Sequence, residues 1–388
     1  MDDEAAARVA LLQGASAAAA RVFTVLLTRG PISRIGIAKA TGLSQAAVTK
    51  TVTPLVAAGL VDDRLGTQRA GQPGRPVSPI AVIPDALTAI GVKINVDEVI
   101  AVATDLRTGV LADERAPLRD RDPDAVVDAV AAIIATLETA LGPAAARVAG
   151  IGVAVSGDVE AATGTVRESG LMGWTGVDLG ERLHARLDAP VVVENDVRAL
   201  TIGEHWFGIG LGTDSFAIVT IGRGIGSGLH VNGEVVEGAY GVAGEIGHLP
   251  LAAPDRICAC GRRGCVEAVA ASAAIADAVS KAHGRPVGIE EAARLAHDGD
   301  PAAAGAFGEA AAVIGTAIAS LVNLAGPELV IIGGEGVADF DLFDAPLHAA
   351  FREHAFGAAG RCRIAVRPHT FEDWARGAAA AAIRTLVR

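Results

Sequence analysis

The stretch that decides most about this fold is GEIGHLPLAAPDRICACGRRGCVE, residues 244–267. One His and three Cys follow the spacing H-x9-C-x-C-x4-C, and Zn²⁺ prefers thiolate and imidazole ligands in a closed tetrahedron. Neighbouring glycines let the backbone turn around an ion. The alternative, small buried thiols, suits single cysteines better than three so close together. We predict that His248, Cys258, Cys260 and Cys265 bind a structural zinc ion.

Two carboxylates are interleaved with these four ligands. Glu245 lies three residues before the His and Glu267 two after the last Cys, so a metal that fixes the loop would fix both acids. They could then accept hydrogen bonds from a polyol. The alternative for Glu267 is a helix start, where the helix dipole favours an acid. Cys362 has no partner motif, and we expect it in the core.

The composition predicts a globular protein of two to three domains. The chain has 388 residues, of which 51% are hydrophobic and 3% aromatic, so the core must consist of Ala, Val, Leu and Ile. Residues 310–327 lack charge, but Thr316, Ser320, Asn323 and Pro327 interrupt them, which favours a buried helix over a membrane span. The acidic start and clustered thiols lead us to expect a cytoplasmic protein.

The charge is distributed unevenly. Residues 17–84 hold eight basic and two acidic side chains, a net charge of +6, which leaves −18 for the rest of a chain whose total is −12. A basic head on an acidic body indicates that the head alone contacts a polyanion.

The head reads as a winged helix-turn-helix unit. A first helix from Ala17 is stopped by Gly30-Pro31, and Ser33 and Ser44 are suitable N-caps for two further helices around the turn at residues 41–43. The third helix presents short polar groups to a major groove, so the predicted DNA contacts there are Ser44, Gln45, Ala46, Thr49 and Lys50.

A wing is predicted over residues 65–80. Its tip carries Arg69 and the extended tripeptide Gly74-Arg75-Pro76, and an arginine placed there can enter a narrow minor groove. Both arginines are therefore predicted DNA contacts. Some units of this type serve only protein contacts, and the charge of the head favours DNA.

Beyond about residue 85 the chain resembles the ROK family of bacterial sugar kinases and sugar-responsive repressors. The resemblance rests on the Cys/His segment, VVVEND (191–196), GRGIGSG (222–228) and LVIIGG (329–334). It implies an α/β fold: a winged helix-turn-helix domain (1–84) followed by a two-lobed ribonuclease-H/actin-like ROK domain. We expect lobes at 85–200 and 201–388, with the C-terminal helix packing back on the first lobe.

The resemblance also implies a sugar-binding cleft between the lobes. An Asn offers both a donor and an acceptor, and acids accept from hydroxyls, which suits a ring with several OH groups. The expected ligand-binding residues, with Trp174 nearby, are Ser156, Gly157, Asn195, Asp196, Glu245, His248 and Glu267.

The sequence departs from the family's kinase pattern at both phosphate loops. Where those kinases have an Asp and two glycines, this chain has Lys93, Asn95 and Val96, whose side chains would block the backbone amides. Arg223 replaces the usual Thr of the second loop; this change alone decides nothing, because an arginine could hold a phosphate, and only the changes in both loops together argue against ATP turnover. We expect no ATP turnover, with Asp196 surviving as a hydrogen-bond acceptor and no catalytic residue.

These features predict a repressor that binds operator DNA and a monosaccharide or sugar derivative as a homodimer or tetramer. One alternative is an active ATP-dependent sugar kinase with an appended DNA-binding module. Another is a sugar-blind regulator controlled by a protein partner.

Overall fold

A computed structural model describes residues 1–64 and 79–387. Its contacts group the chain into two compact units. Unit 1 comprises Met1–Leu211 together with Phe371–Arg388, and unit 2 comprises Gly212–Thr370. The division into three domains expected from the sequence stays a prediction.

Unit 1 begins with a helical head that carries a small sheet. Its elements are α1 (Asp3–Gln13), α2 (Ala17–Arg29), β1 (Ile32–Ser33), α3 (Arg34–Thr41), α4 (Gln45–Ala57), β2 (Val61–Asp62) and β3 (Pro79–Val82). The strand order is β1-β3-β2, with antiparallel pairs. The hydroxyls of Ser33 and Ser44 accept from Gly36 N and Ala47 N, so both predicted N-caps are confirmed. The wing tip with Arg69 and Arg75 lies outside the described residues.

Helix α1 was not anticipated from the sequence. The Asp2 carboxylate accepts from Ala5 N and caps it, and the helix buries Ala5, Val9 and Leu12. The backbone N–H of Asp2 donates to Ala146 O, at 2.8 Å. The helix therefore joins the head to the part of unit 1 that follows.

The rest of unit 1 is built on a five-stranded sheet. Its strands are β4 (Thr88–Ile94), β5 (Glu98–Asp105), β6 (Val110–Pro117), β7 (Val148–Val155) and β11 (Val191–Asn195), in the order β11-β7-β4-β5-β6. Strands β11, β7 and β4 are mutually parallel, and β4, β5 and β6 form an antiparallel meander.

Helices cover both faces of this sheet. One face packs against α5 (Pro123–Leu141) in a large apolar cluster. The other packs against α7 (Asp196–Phe207) and α13 (Phe371–Thr385). Gly91 and Gly152 make this second contact possible, because a Cβ at either position would lie 1.9 or 1.8 Å from a carbonyl oxygen of α13.

A three-stranded sheet and a short helix complete unit 1. They are β8 (Asp158–Glu160), β9 (Thr165–Ser169), β10 (Trp174–Val177) and α6 (Leu179–Arg186). Trp174 is 4% exposed, and its indole Nε1 donates to Arg121 O at 2.6 Å. The ring is part of the core on the α5 side.

Unit 2 is a second five-stranded sheet with helices. The strands, in the order β14-β13-β12-β15-β16, are β12 (Phe216–Ile221), β13 (Ile225–Val231), β14 (Glu234–Val235), β15 (Leu329–Gly333) and β16 (Arg363–Val366). The helices are α8 (Glu267–Ala270), α9 (Ser272–His283), α10 (Ile289–His297), α11 (Pro301–Ala325) and α12 (Asp341–His354). Cys362 packs, partly buried, at the edge of this core.

Two helical segments among the described residues are long and apolar enough to cross a membrane: Pro123–Arg147 and Pro301–Ala325. A third would count if the bent pair α1 and α2 formed one span. The segment Pro301–Ala325 buries Ala310, Ile314 and Ile318 against the core of unit 2, as the interrupted apolar run predicts. The buried share of the apolar window is 39% in Pro123–Arg147 and 56% in Pro301–Ala325.

Candidate functional site

The predicted zinc ligands come together in unit 2. The ligand atoms of His248, Cys258, Cys260 and Cys265 all lie within 4.8 Å of one another. His248 Nδ1 is 3.9 Å from Cys258 Sγ, and the Sγ atoms of Cys260 and Cys265 are 3.8 Å apart. A tetrahedron with Zn–S arms of about 2.3 Å has edges of about 3.8 Å. The cluster therefore has the size and the donor set of a closed zinc site.

Local backbone structure explains this convergence. A single turn of 3₁₀ helix, Ile246–His248, presents the imidazole. The cysteine loop is closed by Cys258 N donating to Arg262 O and by Gly264 N donating to Arg256 O. Gly261 and Gly264 have φ of 80° and 72°, which glycine adopts without strain. These backbone bonds and glycine turns bring the cysteine side chains together.

The three thiols do not share one protonation behaviour. Burial raises the pKa of the Cys258 thiol to about 12. Burial acts in the same direction on Cys260, but the Arg262 backbone N–H and the neighbouring thiols outweigh it and lower the pKa of that thiol. A divalent cation would make three adjacent thiolates compatible, because metal binding displaces the thiol protons.

The two carboxylates of this segment are held differently. Glu267 begins α8, as the alternative interpretation expects, and its Oε2 accepts from Ile225 N at 3.1 Å. Glu245 immediately precedes the short helix that carries His248. Glu267 can therefore begin α8 and accept a hydrogen bond from Ile225 N while the neighbouring Cys265 belongs to the Cys/His cluster.

A third carboxylate, which the sequence did not single out, binds the second phosphate loop. Glu335 Oε1 accepts from Arg223 N at 2.8 Å, and a Cβ on Gly222 would lie 2.2 Å from its carboxyl carbon. Two amides of residues 222–226 thus already donate to the acids Glu335 and Glu267.

The predicted ligand residues of unit 1 gather at the carboxyl edge of its parallel strands. Ser156 and Gly157 follow β7, while Asn195 ends β11 and Asp196 begins α7. Asn195 Nδ2 donates to Gly157 O at 2.9 Å, and its Oδ1 accepts from Arg198 N at 3.0 Å. Ligands of open α/β sheets bind at this edge.

A buried ion pair between Glu194 and Arg198 lies next to Asn195 at that edge. Glu194 is 1% exposed and Arg198 3%, and the Arg198 guanidinium donates to Glu194 and to Val159 O. Glu194 Oε1 also accepts from Asn195 N at 2.8 Å. This pair was not predicted from the sequence, because Glu194 lies in strand β11 and Arg198 lies in the helix that follows it.

Lys93 pairs with Asp196 across 103 residues of sequence. Lys93 Nζ donates to Asp196 Oδ2 at 2.5 Å, with side chains 5% and 12% exposed, and lies 5.4 Å from the centre of the Trp374 ring. Asp196 Oδ1 accepts from Val197 N. The sequence identified both residues without indicating that they meet.

The predicted DNA-contacting residues of α4 share its exposed face. Ser44, Gln45, Ala46, Thr49 and Lys50 are all exposed, whereas Val48, Val52 and Leu55 are buried. Pro54 lies inside the helix, one turn beyond Lys50.

Comparison with known proteins places this chain in a family. The sequence profile of the ROK family matches residues 89–385. The chain belongs to the ROK family. The N-acetylglucosamine repressor of Escherichia coli O6:H1 strain CFT073 is 30% identical to it over 329 residues, covering 81% of this chain and 80% of that repressor.

Two solved ROK structures, one of a transcriptional regulator and one of a glucokinase, resemble this chain to different extents. A transcriptional regulator described as a homologue of the E. coli MLC protein has a TM-score of 0.80 at 26% identity and covers 95% of both chains. A glucokinase from Streptomyces griseus, solved with glucose and AMPPNP, has a TM-score of 0.67 at 27% identity and covers 76% of this chain and 99% of its own. The predicted fold, a winged helix-turn-helix domain before a ribonuclease-H/actin-like ROK domain, is thereby confirmed.

Proposed function

We propose that this ROK protein is a cytoplasmic, sugar-responsive transcriptional repressor whose kinase-related body senses a sugar without phosphorylating it. The observation that carries this proposal is the similarity of nearly the whole chain to a ROK transcriptional regulator, head included. The glucokinase, in contrast, covers three quarters of the chain, about the share that the family profile matches.

The head is the proposed DNA-binding part. The exposed face of α4 presents Gln45, Thr49 and Lys50, groups that hydrogen-bond to base edges or phosphates, and its buried face anchors the helix. The wing residues Arg69 and Arg75 are proposed as further contacts on the basis of sequence alone. The +6 charge of residues 17–84 would draw this part of an otherwise acidic protein to a polyanion.

The body is the proposed sugar sensor. In unit 1 we assign sugar binding to Ser156, Gly157, Asn195 and Asp196, which share one edge of the sheet. In unit 2 we assign it to Glu245, His248 and Glu267; His248 lies in the 3₁₀ turn Ile246–His248, and Glu267 accepts a hydrogen bond from Ile225 N. These groups offer both donors and acceptors, as a polyhydroxyl ligand requires.

Phosphoryl transfer is disfavoured in both units. In unit 1, the carboxylate of Asp196, the residue that would act as general base, is already held in a buried ion pair with Lys93, which stands where the family's kinases have an Asp. In unit 2, the amides of Arg223 and Ile225 donate to carboxylates, so a nucleotide phosphate would meet negative charge there.

Zinc is the proposed occupant of the cysteine cluster. Its role is structural, because four protein ligands leave no open coordination position. By fixing His248 and the loop up to Cys265, the ion would hold Glu245 and Glu267 in position for a sugar. Substitution of Cys260 by Ser would therefore remove metal and sugar response together, whereas Cys362→Ser would leave both intact.

Sugar and DNA are proposed to act on a homo-oligomer through linked equilibria. If a sugar changes DNA affinity by some factor, DNA must change sugar affinity by the same factor. The proposal is tested by selecting bound duplexes from a random library and titrating the selected duplex with and without sugar. Selection of no specific duplex would contradict the DNA-binding function.

An active sugar kinase is the second candidate. Similarity to the glucokinase and retention of Asp196 favour it. Incubation with MgATP and each of several monosaccharides, with a coupled assay for ADP, decides between the two. The proposed function predicts no ADP formation above that of an Asp196→Asn control.

A further inference from the structure

Two polar residues lie at the end of β4: Lys93 within the strand and Asn95 directly after its last residue. Val92 and Ile94 point into the apolar cluster on the α5 side, and Val96 packs against the same cluster. Gly91 and Lys93 belong to the opposite face, because a Cβ on Gly91 would touch α13 and Lys93 lies over Trp374 of that helix. Side chains alternate along a strand, so Asn95 continues the face of Lys93.

Asn95 has a buried donor whose hydrogen bond is missing. The residue is 9% exposed, and its Nδ2 atom has no hydrogen-bond partner among the described residues. Its backbone N–H is satisfied by Glu98 O at 2.9 Å. Buried amide groups are nearly always paired, so an unpaired one is a candidate for contact with a ligand.

The same edge holds a fixed acceptor. Asp196 receives one hydrogen bond on each oxygen, from Lys93 Nζ and Val197 N, and each carboxylate oxygen has a second lone pair. Lys93 is itself immobilised by burial and by Trp374. The carboxylate thus keeps its acceptor capacity in one orientation.

We propose that Asn95 is an effector-binding residue and Lys93 a positioning residue, which together hold an uncharged sugar hydroxyl at the carboxyl edge of β4. Asn95 Nδ2 donates to the hydroxyl oxygen of the sugar. Lys93 orients Asp196 to accept a hydroxyl proton in a hydrogen bond, with no proton transfer. This inference rests on the proposed sugar-sensing function and adds two residues and a ligand class to it.

Charge at this edge favours a hydroxyl over a phosphate. The Lys93 ammonium is already neutralised by Asp196, and Asp97 and Glu98 follow Asn95 directly, with Glu98 partly offset by Arg115 Nη1 at 3.7 Å. A sugar phosphate would add negative charge beside these acids. Sugars are therefore expected to bind at least as tightly as their phosphates.

The test is calorimetric titration of the full-length, zinc-loaded protein. The probes are glucose, N-acetylglucosamine, xylose, glucose 6-phosphate and N-acetylglucosamine 6-phosphate. The variants are Lys93→Met, Lys93→Arg and Asn95→Ala, and Lys281→Met is the matched control because Lys281 is exposed on α9 in unit 2. If Lys93→Met does not fold, Lys93→Gln, which keeps a side-chain donor at this position, replaces it.

The wild type is expected to bind a neutral sugar, with about a tenfold loss of affinity in Lys93→Met and in Asn95→Ala, the size of one hydrogen bond. Lys93→Arg should recover most of the affinity, and Lys281→Met should bind like the wild type. Wild-type affinity in both Asn95→Ala and a folded Lys93 variant would overturn the inference and leave the proposed function standing. Binding confined to the sugar phosphates would overturn the ligand class, and binding of no probe by the wild type would overturn both proposals.

Discussion

Arg8→Ala should separate sugar sensing from DNA binding. The Arg8 guanidinium donates through Nε to Ala58 O and through Nη1 to Ala86 O, both at 2.9 Å. Ala58 follows the proposed DNA-reading helix, and Ala86 lies two residues before β4, the first strand of the five-stranded sheet of unit 1. One side chain of α1 therefore connects the end of α4 to the segment that leads into the sensor.

The stability lost in Arg8→Ala can be estimated from these two hydrogen bonds. The Arg8 side chain is 12% exposed, and a hydrogen bond from a charged donor contributes about 1.5–3 kcal/mol. Two such bonds, discounted because Ala58 is half-buried, give about 2–4 kcal/mol of local stability. The ion pair with Glu4 adds little, because that carboxylate is 73% exposed.

Hydrogen exchange measures this loss directly. Amides of α1 should exchange roughly 30- to 1000-fold faster in Arg8→Ala, since each 1.4 kcal/mol is tenfold. DNA affinity without sugar should change little, because the exposed face of α4 is untouched, while the effect of sugar on DNA binding should shrink. Arg8→Lys should show an intermediate exchange rate, since an ammonium group cannot donate to both carbonyls in the geometry of the guanidinium. Unchanged exchange and an unchanged sugar effect, as expected of the exposed control Arg352→Ala, would refute the reasoning.

Four further predictions concern the body and the head. Cys260→Ser should lower bound zinc well below about one ion per chain by elemental analysis, because a three-ligand site binds Zn²⁺ less tightly. Asp196→Asn and Glu245→Gln should each weaken a bound sugar by about 1.5–3 kcal/mol in calorimetry, because an amide replaces a charge-assisted acceptor poorly. Lys50→Ala should lower affinity equally for selected and scrambled duplexes and flatten the salt slope by about one unit. Glu335→Gly should give measurable binding of MgAMPPNP, since it frees a loop amide and removes a negative charge.

Each of these predictions has an outcome that contradicts it. Full zinc content in Cys260→Ser, equal to that of Cys362→Ser, would remove that thiol from the metal site. Wild-type sugar affinity in both acid variants would place the sugar elsewhere. A salt slope in Lys50→Ala no different from that of Lys281→Met would remove the phosphate contact. Nucleotide binding by the wild type as strong as by Glu335→Gly would show that the carboxylate blocks nothing.

Local chemistry made part of this structure predictable. Ser33 and Ser44 cap α3 and α4 because a hydroxyl just before a helix satisfies a free N–H, and that requirement is visible in sequence. The clustering of His248, Cys258, Cys260 and Cys265 was predictable as well, because their short spacing and the glycine turns between them keep these side chains close together.

Other features depend on contacts that spacing does not encode. Lys93 meets Asp196 because β4 and β11 flank β7 in parallel, so the ends of both strands lie at one edge of the sheet. Glu335 reaches Arg223 N because β15 pairs with β12. Helix α1 escaped notice because its acidic, alanine-rich sequence buries few apolar side chains, and its anchor, Arg8, bonds to carbonyls 50 and 78 residues away.

The central claim is that one chain couples sugar binding to DNA binding. The most direct measurement is the affinity of the full-length protein for a selected duplex, measured by fluorescence anisotropy across a sugar titration, together with the reverse titration of sugar in saturating duplex. The account predicts that sugar changes duplex affinity about 5- to 150-fold and that duplex changes sugar affinity by the same factor. Equal duplex affinity with and without a sugar that calorimetry shows to be bound would contradict it.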